Sequence, residues 1–160
     1  MGNLASLTGN DNYFEDFIVG DVFKHARGKT ITALENVLIT NLVMNSAQAH
    51  FNEHLMSSSS FGKILSYGGV NFSMVLGLAS QDCCENALSE LALDNIKLLL
   101  PVTHGDTLYA YSEVLEARPS DREDAGIVIF RHYGINQRDE TVVKVDRTVL
   151  LKRRSYWADR

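Results

Sequence analysis

The chain has 160 residues, 45% of them hydrophobic, with a formal net charge of −5 and a pI near 5.5. That length suits a single domain whose core needs no metal or disulfide staple, and the acidic balance argues against a nucleic-acid partner, whose capture needs a broad positive surface. No stretch reaches the roughly 18 uninterrupted apolar residues of a membrane span, and Met1 to Asn12 lacks the basic-then-apolar pattern of an export signal, so the expected location is the cytoplasm.

In chain order, Gly20-Asp21 is a turn signal leading into a strand that begins at Val22-Phe23-Lys24-His25. Thr32-Ala33-Leu34-Glu35 has the form of a capping box, and Val37, Leu38, Leu42 and Val43 recur at helical spacing, so a helix is predicted from there to about Asn45. Ser57-Ser58-Ser59-Ser60 with Gly62 predicts a loop between two helical pieces. Val70 to Gln81 follows Gly68-Gly69 and is apolar on nearly every side, which predicts an enclosed helix at the centre of the fold. Cys83 and Cys84, adjacent and with no flanking cation, read as reduced thiols near that helix's end, fitting neither a disulfide framework nor a spaced metal site.

Four strand-like stretches follow: Leu91 to Leu100, Thr107 to Ala117, Ile127 to Gln137 and Thr141 to Arg153. His104-Gly105-Asp106 and Arg138-Asp139-Glu140 supply turns, and Ala117 to Gly126, charged and holding Pro119, reads as a solvent loop. A buried helix followed by consecutive antiparallel strands is an α+β arrangement in which the helix covers the sheet's apolar face. Nothing recurs at a fixed period, so one domain over 1–160 is expected.

One motif calls for chemistry of its own. His50-Phe51-Asn52-Glu53-His54 matches H-x-x-E-H, in which two histidines one helical turn apart bind zinc and the glutamate activates water. So short a pattern arises easily by chance and brings no third ligand, so no metal is expected and His54 reads as a surface or pocket-rim histidine.

The order of elements and three local stretches resemble the MaoC-like dehydratases and R-specific enoyl-CoA hydratases. Asn45-Ser46-Ala47-Gln48-Ala49-His50 sits where that family carries Asp-x-Asn-Pro-x-His. Phe61 to Gly69, ending Ser66-Tyr67-Gly68-Gly69, is similar to the segment ending His-Gly-Met at the start of the family's central helix. Ile96 to Val102, followed by Gly105-Asp106-Thr107-Leu108, resembles the family's strand, Pro-Val, Gly-Asp and next strand. The resemblance covers about residues 15 to 153, and within the family the stretch from Asn45 to Glu53 is similar to members acting on branched C5 dicarboxylyl-CoA substrates such as mesaconyl-CoA.

The resemblance implies a hot-dog fold, in which an antiparallel sheet wraps a long central helix. It also implies a hydratase or dehydratase moving water across the double bond of an enoyl-CoA thioester, with no cofactor beyond the coenzyme A of the substrate and with a homodimer as the assembly. His50 then carries proton transfer, since an imidazole exchanges protons near neutrality, while Asn45 replaces the family's aspartate and can only position water, because an amide takes up no proton. Gln48 and Glu53 are candidates to share the aspartate's task. Gly68 and Gly69 would bind the thioester oxygen through free N–H groups at the helix start, Tyr67 stands at the family's histidine, and Lys63 is a candidate for CoA phosphates or a distal carboxylate. A hot-dog thioesterase and a catalytically silent acyl-CoA binder are the alternatives. A thioesterase usually needs a carboxylate on the central helix, and Val70 to Gln81 contains none.

Overall fold

A computed structural model describes residues 3–4 and 12–158. Most of Met1 to Asn12, read above for an export signal, lies outside them. No helix among the described residues is long and apolar enough to cross a membrane.

The elements run β1 (Asn3–Leu4), β2 (Val22–Thr30), α1 (Ala33–Leu42), α2 (Glu53–Ser57), α3 (Gly68–Cys83), β3 (Ala87–Leu98), β4 (Thr107–Pro119), β5 (Ala125–Asn136), β6 (Thr141–Lys152) and α4 (Arg154–Trp157). They form one sheet in the order β1-β2-β4-β5-β6-β3, antiparallel from β2 onward, with β1 parallel to β2. The α3 helix lies on the face towards which β4 turns Leu108, Ala110, Ser112 and Val114, alternate residues as the pleat requires. On β5 the matching inward row is Val128, Phe130, His132, Gly134 and Asn136. A side chain at Gly134 would run into Val75 and Val143, so its bare backbone lets α3 approach the sheet. This is the hot-dog arrangement.

Two apolar clusters fill the interface. Ile31, Val75, Val102, Leu108, Ala110, Val142 and Val143 form one, while Phe17, Cys83, Val114, Val128, Phe130, Val149 and Leu151 form the other at the C-terminal end of α3. Between them the inward rows carry His132 and Ser112.

Four details depart from the sequence reading. First, β3 pairs with β6 and not with its chain neighbour β4, so the strands are not a simple meander; the Pro101 segment crosses from one edge of the sheet to its interior. Second, β4 continues through Pro119, and the loop shrinks to the residues before Ala125. Beyond Glu113, which faces the start of β2, the strand has β5 as its ladder partner, so the missing proline N–H breaks no bond on the other side. Third, α1 stops at Leu42, and Met44 takes a positive φ of 59°. Fourth, α3 is open along one strip, where Ser73 and Gly77 are exposed.

Candidate active site at the start of the central helix

The site begins in α1. Thr32 caps that helix, its Oγ1 accepting Glu35 N–H while Glu35 Oε2 accepts Thr32 N–H, the predicted box. The apolar row does not turn inward, however: Val37 is half-buried, and Leu38, Leu42 and Val43 are all more than half exposed. The buried face carries Asn36 and Thr40 instead, because what α1 covers is a set of backbone polar groups that need partners. Asn36 supplies them. Its Oδ1 accepts Tyr67 N–H at 2.8 Å, and its Nδ2 donates to His104 Nε2 at 2.9 Å and, at 3.4 Å, to the carbonyls of His50 and Leu65. One buried carboxamide thus joins α1, the His50 turn, the lead-in to α3 and the turn before β4.

His50 ends a short 3-10 turn, Gln48–His50. Its Nδ1 lies 2.9 Å from the carbonyl oxygen of Leu65, which can only accept, so Nδ1 carries the hydrogen and Nε2 keeps its lone pair. Leu65 is itself pinned, by its N–H to Ala49 O at 3.0 Å and by a bridge to Thr103. The imidazole and the Tyr67 ring stand 5.5 Å apart between centroids.

Both rings line an open cleft of about 660 Å³ with Phe61, Ser66, Gly68, Gly69, Asn71 and apolar residues of the β3 end, Ile96 to Val102. Tyr67 is the N-cap of α3, and Val70 and Asn71 N–H both return to its carbonyl. The N–H groups of Gly68 and Gly69 precede any carbonyl the helix can offer, so they remain donors at the positive end of the helix dipole. A β-carbon on Gly68 would collide with the Leu98 side chain, and one on Gly69 with the Tyr67 ring. Ser66 Oγ donates to Asn71 Oδ1 at 2.6 Å, which fixes that amide and leaves its Nδ2 as a further donor. Among the described lining residues none is a carboxylate.

The cleft therefore gathers His50, Tyr67, Gly68 and Gly69 and leaves out the other candidates. Asn45 lines a separate hollow with Asn41, Met44 and Gln48, and its Oδ1 accepts Ala47 N–H at 3.0 Å. That bond engages its oxygen in the turn leading to His50. Gln48 Oε1 accepts Asn52 Nδ2 at 3.0 Å, and Glu53 is exposed in the first turn of α2. Lys63 is exposed on the loop whose Phe61 reaches the cleft. The H-x-x-E-H spacing is broken: His50 closes the 3-10 turn, and α2, which carries His54, starts afresh behind an Asn52 cap. Two histidines split in this way do not share the single helix face on which that motif depends.

Asn36 escaped the sequence reading, and His104 was read there only as part of a turn. The signal was there in Asn36 and Thr40, two polar residues one helical turn apart within an apolar run. His104 is held by its turn: Asp106 Oδ2 accepts Thr103 N–H at 2.8 Å, Asp106 Oδ1 accepts Gln137 Nε2 at 2.6 Å, and Gly105 takes a φ of 94°. Burial pushes the Asp106 carboxyl upward, but its donors Gln137, Thr103 and Arg138 outweigh burial and hold it below the ordinary range.

These features define a hot-dog protein with an imidazole facing a helix N-terminus across an acyl-sized cleft. The sequence profile of the mesaconyl-CoA hydratase family matches residues 10–153, and the chain belongs to that family. It is 36% identical to a beta-methylmalyl-CoA dehydratase of Chloroflexus aurantiacus over 71% of this chain and 32% of that protein. It is 31% identical to a mesaconyl-CoA hydratase of Haloarcula marismortui over 92% of this chain and 44% of that protein. Among solved structures, a MaoC-domain protein of Chloroflexus aurantiacus superposes with a TM-score of 0.85 at 31% identity, covering 91% of this chain and 46% of the other. The chain thus spans less than half the length of the curated relatives it matches.

Proposed function

We propose that this chain adds water to, or removes it from, the double bond of a branched dicarboxylyl-CoA of the mesaconyl-CoA type. The observation that carries the reading is the His50 imidazole, locked with Nδ1–H on Leu65 O and Nε2 free, on the same cleft as the spare N–H groups of Gly68 and Gly69. Those N–H groups hold the thioester oxygen, and negative charge accumulates there as water oxygen bonds to the β-carbon. His50 Nε2 takes the water proton and then returns it to the α-carbon as the enolate collapses, so acid and base are one residue and the atoms of one water are conserved. With no carboxylate on the cleft, Asn45 shapes the turn that presents His50, and Lys63 is offered to the phosphates of CoA.

Relatives of about twice this length, and the outward apolar row of α1 beside the open strip of α3, support a homodimer in which two copies replace two halves of a longer chain. Light scattering at micromolar concentration is expected to give twice the chain mass.

The test is turnover of mesaconyl-CoA, crotonyl-CoA and their hydrated counterparts by wild type and His50→Ala. Hydration by wild type, reduced at least ~100-fold in the variant, is expected from the usual contribution of a general acid-base. Thioester cleavage without hydration, or equal turnover by both proteins, overturns the reading.

A further inference from the structure

The far end of α3 holds a second group of polar side chains that the reaction above does not use. Asp82 Oδ2 lies 2.6 Å from His25 Nδ1, His25 Nε2 lies 2.6 Å from Ser112 Oγ, and Ser112 Oγ lies 2.6 Å from His132 Nδ1. Cys83 closes the group: one ligand atom from each of His25, Cys83 and His132 falls within 4.8 Å of the others. The three are at most 1% exposed. At about 1.5 Å per residue, α3 puts this cluster about 22 Å from Gly68.

The arrangement is incomplete as it stands. His132 Nε2 and Asp82 Oδ1 are buried without partners, and unpaired buried polar atoms are costly.

We propose that His25, Cys83 and His132 bind a structural zinc ion, with Ser112 Oγ in the fourth position. Two imidazoles and a thiolate are a donor set zinc takes in tetrahedral geometry. Bonds of about 2.0–2.1 Å to nitrogen and about 2.3 Å to sulfur set tetrahedral ligand atoms roughly 3.3–3.8 Å apart, so on binding the three donors draw in from a spacing of up to 4.8 Å while Ser112 Oγ moves back from the two imidazole nitrogens it now meets at 2.6 Å. Asp82 already holds His25 Nδ1–H from behind, which turns the Nε2 lone pair into the cluster and is the usual outer support of a zinc-bound histidine. Charge closes as well: the Cys83 thiol loses its proton to solvent as the Zn–S bond forms, and thiolate plus Asp82 carboxylate balance the dication. Arg147, the nearby cation, is already paired with Glu90 at 2.6 Å. Entry is available beside the β2 irregularity, where the register slips between Lys24 and Gly28 and His25 borders a surface hollow with Lys24, Tyr109 and Tyr111. An ion here would clamp β2, β5 and the end of α3 together.

Cobalt(II) is the probe. Chelator-treated, fully reduced protein titrated with Co2+ is expected to develop a near-ultraviolet thiolate-to-cobalt band and strong tetrahedral visible bands, saturating at about one ion per chain. Zn2+ should displace the cobalt and raise Tm. Cys83→Ser should abolish the sulfur band, Cys84→Ser should keep it, and Asp82→Asn should weaken affinity by ~10–100-fold. If wild type shows no sulfur band, or the band survives Cys83→Ser, the cluster is a hydrogen-bonded core network and the proposal fails. None of these readouts depends on turnover, so they stand or fall apart from the hydratase reading.

Discussion

The two ends of α3 place histidines in opposite circumstances. At the N-terminal end His50 borders an open cleft, with one ring nitrogen anchored on a carbonyl and the other available. At the C-terminal end His25 and His132 are buried among strands and the helix itself, and His25 only touches the floor of a surface hollow. The lesson is that accessibility, more than residue type, divides the roles: an imidazole that must trade protons with a substrate needs a free edge, while a buried one fastens elements together.

That contrast can be broken from either side. The largest expected effect is on the open end, the loss of at least ~100-fold in hydration with His50→Ala, at nearly unchanged Tm because the ring is only half buried. Asn36→Ala comes next and tests whether the open end depends on a closed support. It leaves Tyr67 N–H and His104 without their partner, which should cost about 2–3 kcal/mol in urea unfolding and lower kcat by about tenfold, since the Leu65 carbonyl that orients His50 loses a tie. Gly68→Ala should act through the Leu98 collision, raising KM for acyl-CoA several-fold while leaving the His50-dependent pH profile in place.

The smallest effect belongs to the turn that carries His104. The Asp106 carboxyl titrates below its unfolded value, so its contribution to stability is complete above the unfolded carboxylate pKa of about 3.9 and is lost as pH falls through the folded value. Asp106→Asn should flatten the acid limb of a Tm-against-pH curve below about pH 4 and lower Tm by only a few degrees at pH 7. An unchanged acid limb would remove Asp106 from the account.

Legibility follows the same division. The Thr32 capping box, α3, the four long strands and the placement of His50 before α3 were readable because each rests on local pattern or on collinear motifs. The burial of α1 was not: periodicity of Val37, Leu38, Leu42 and Val43 marks a helix but does not say which face meets the rest of the chain, and here the face with Asn36 and Thr40 does. Asn45 illustrates a second limit, since its place in a motif suggested chemistry while an Asx turn absorbs its oxygen. The departure of β3 to the far edge, and the meeting of His25, Ser112 and His132, depend on which strands become neighbours, and no local pattern reports that.

The Asn36 carboxamide carries a final consequence. Because the same two atoms tie α1 to the Tyr67 and His104 segments and brace the carbonyl that holds the His50 ring, a change at this position is expected to alter stability and the proposed turnover together. Substitutions meant to admit a bulkier acyl group are therefore expected to be tolerated better on the β3 side of the cleft, where Ile96, Leu98, Leu99 and Leu100 take no part in the Asn36 ties.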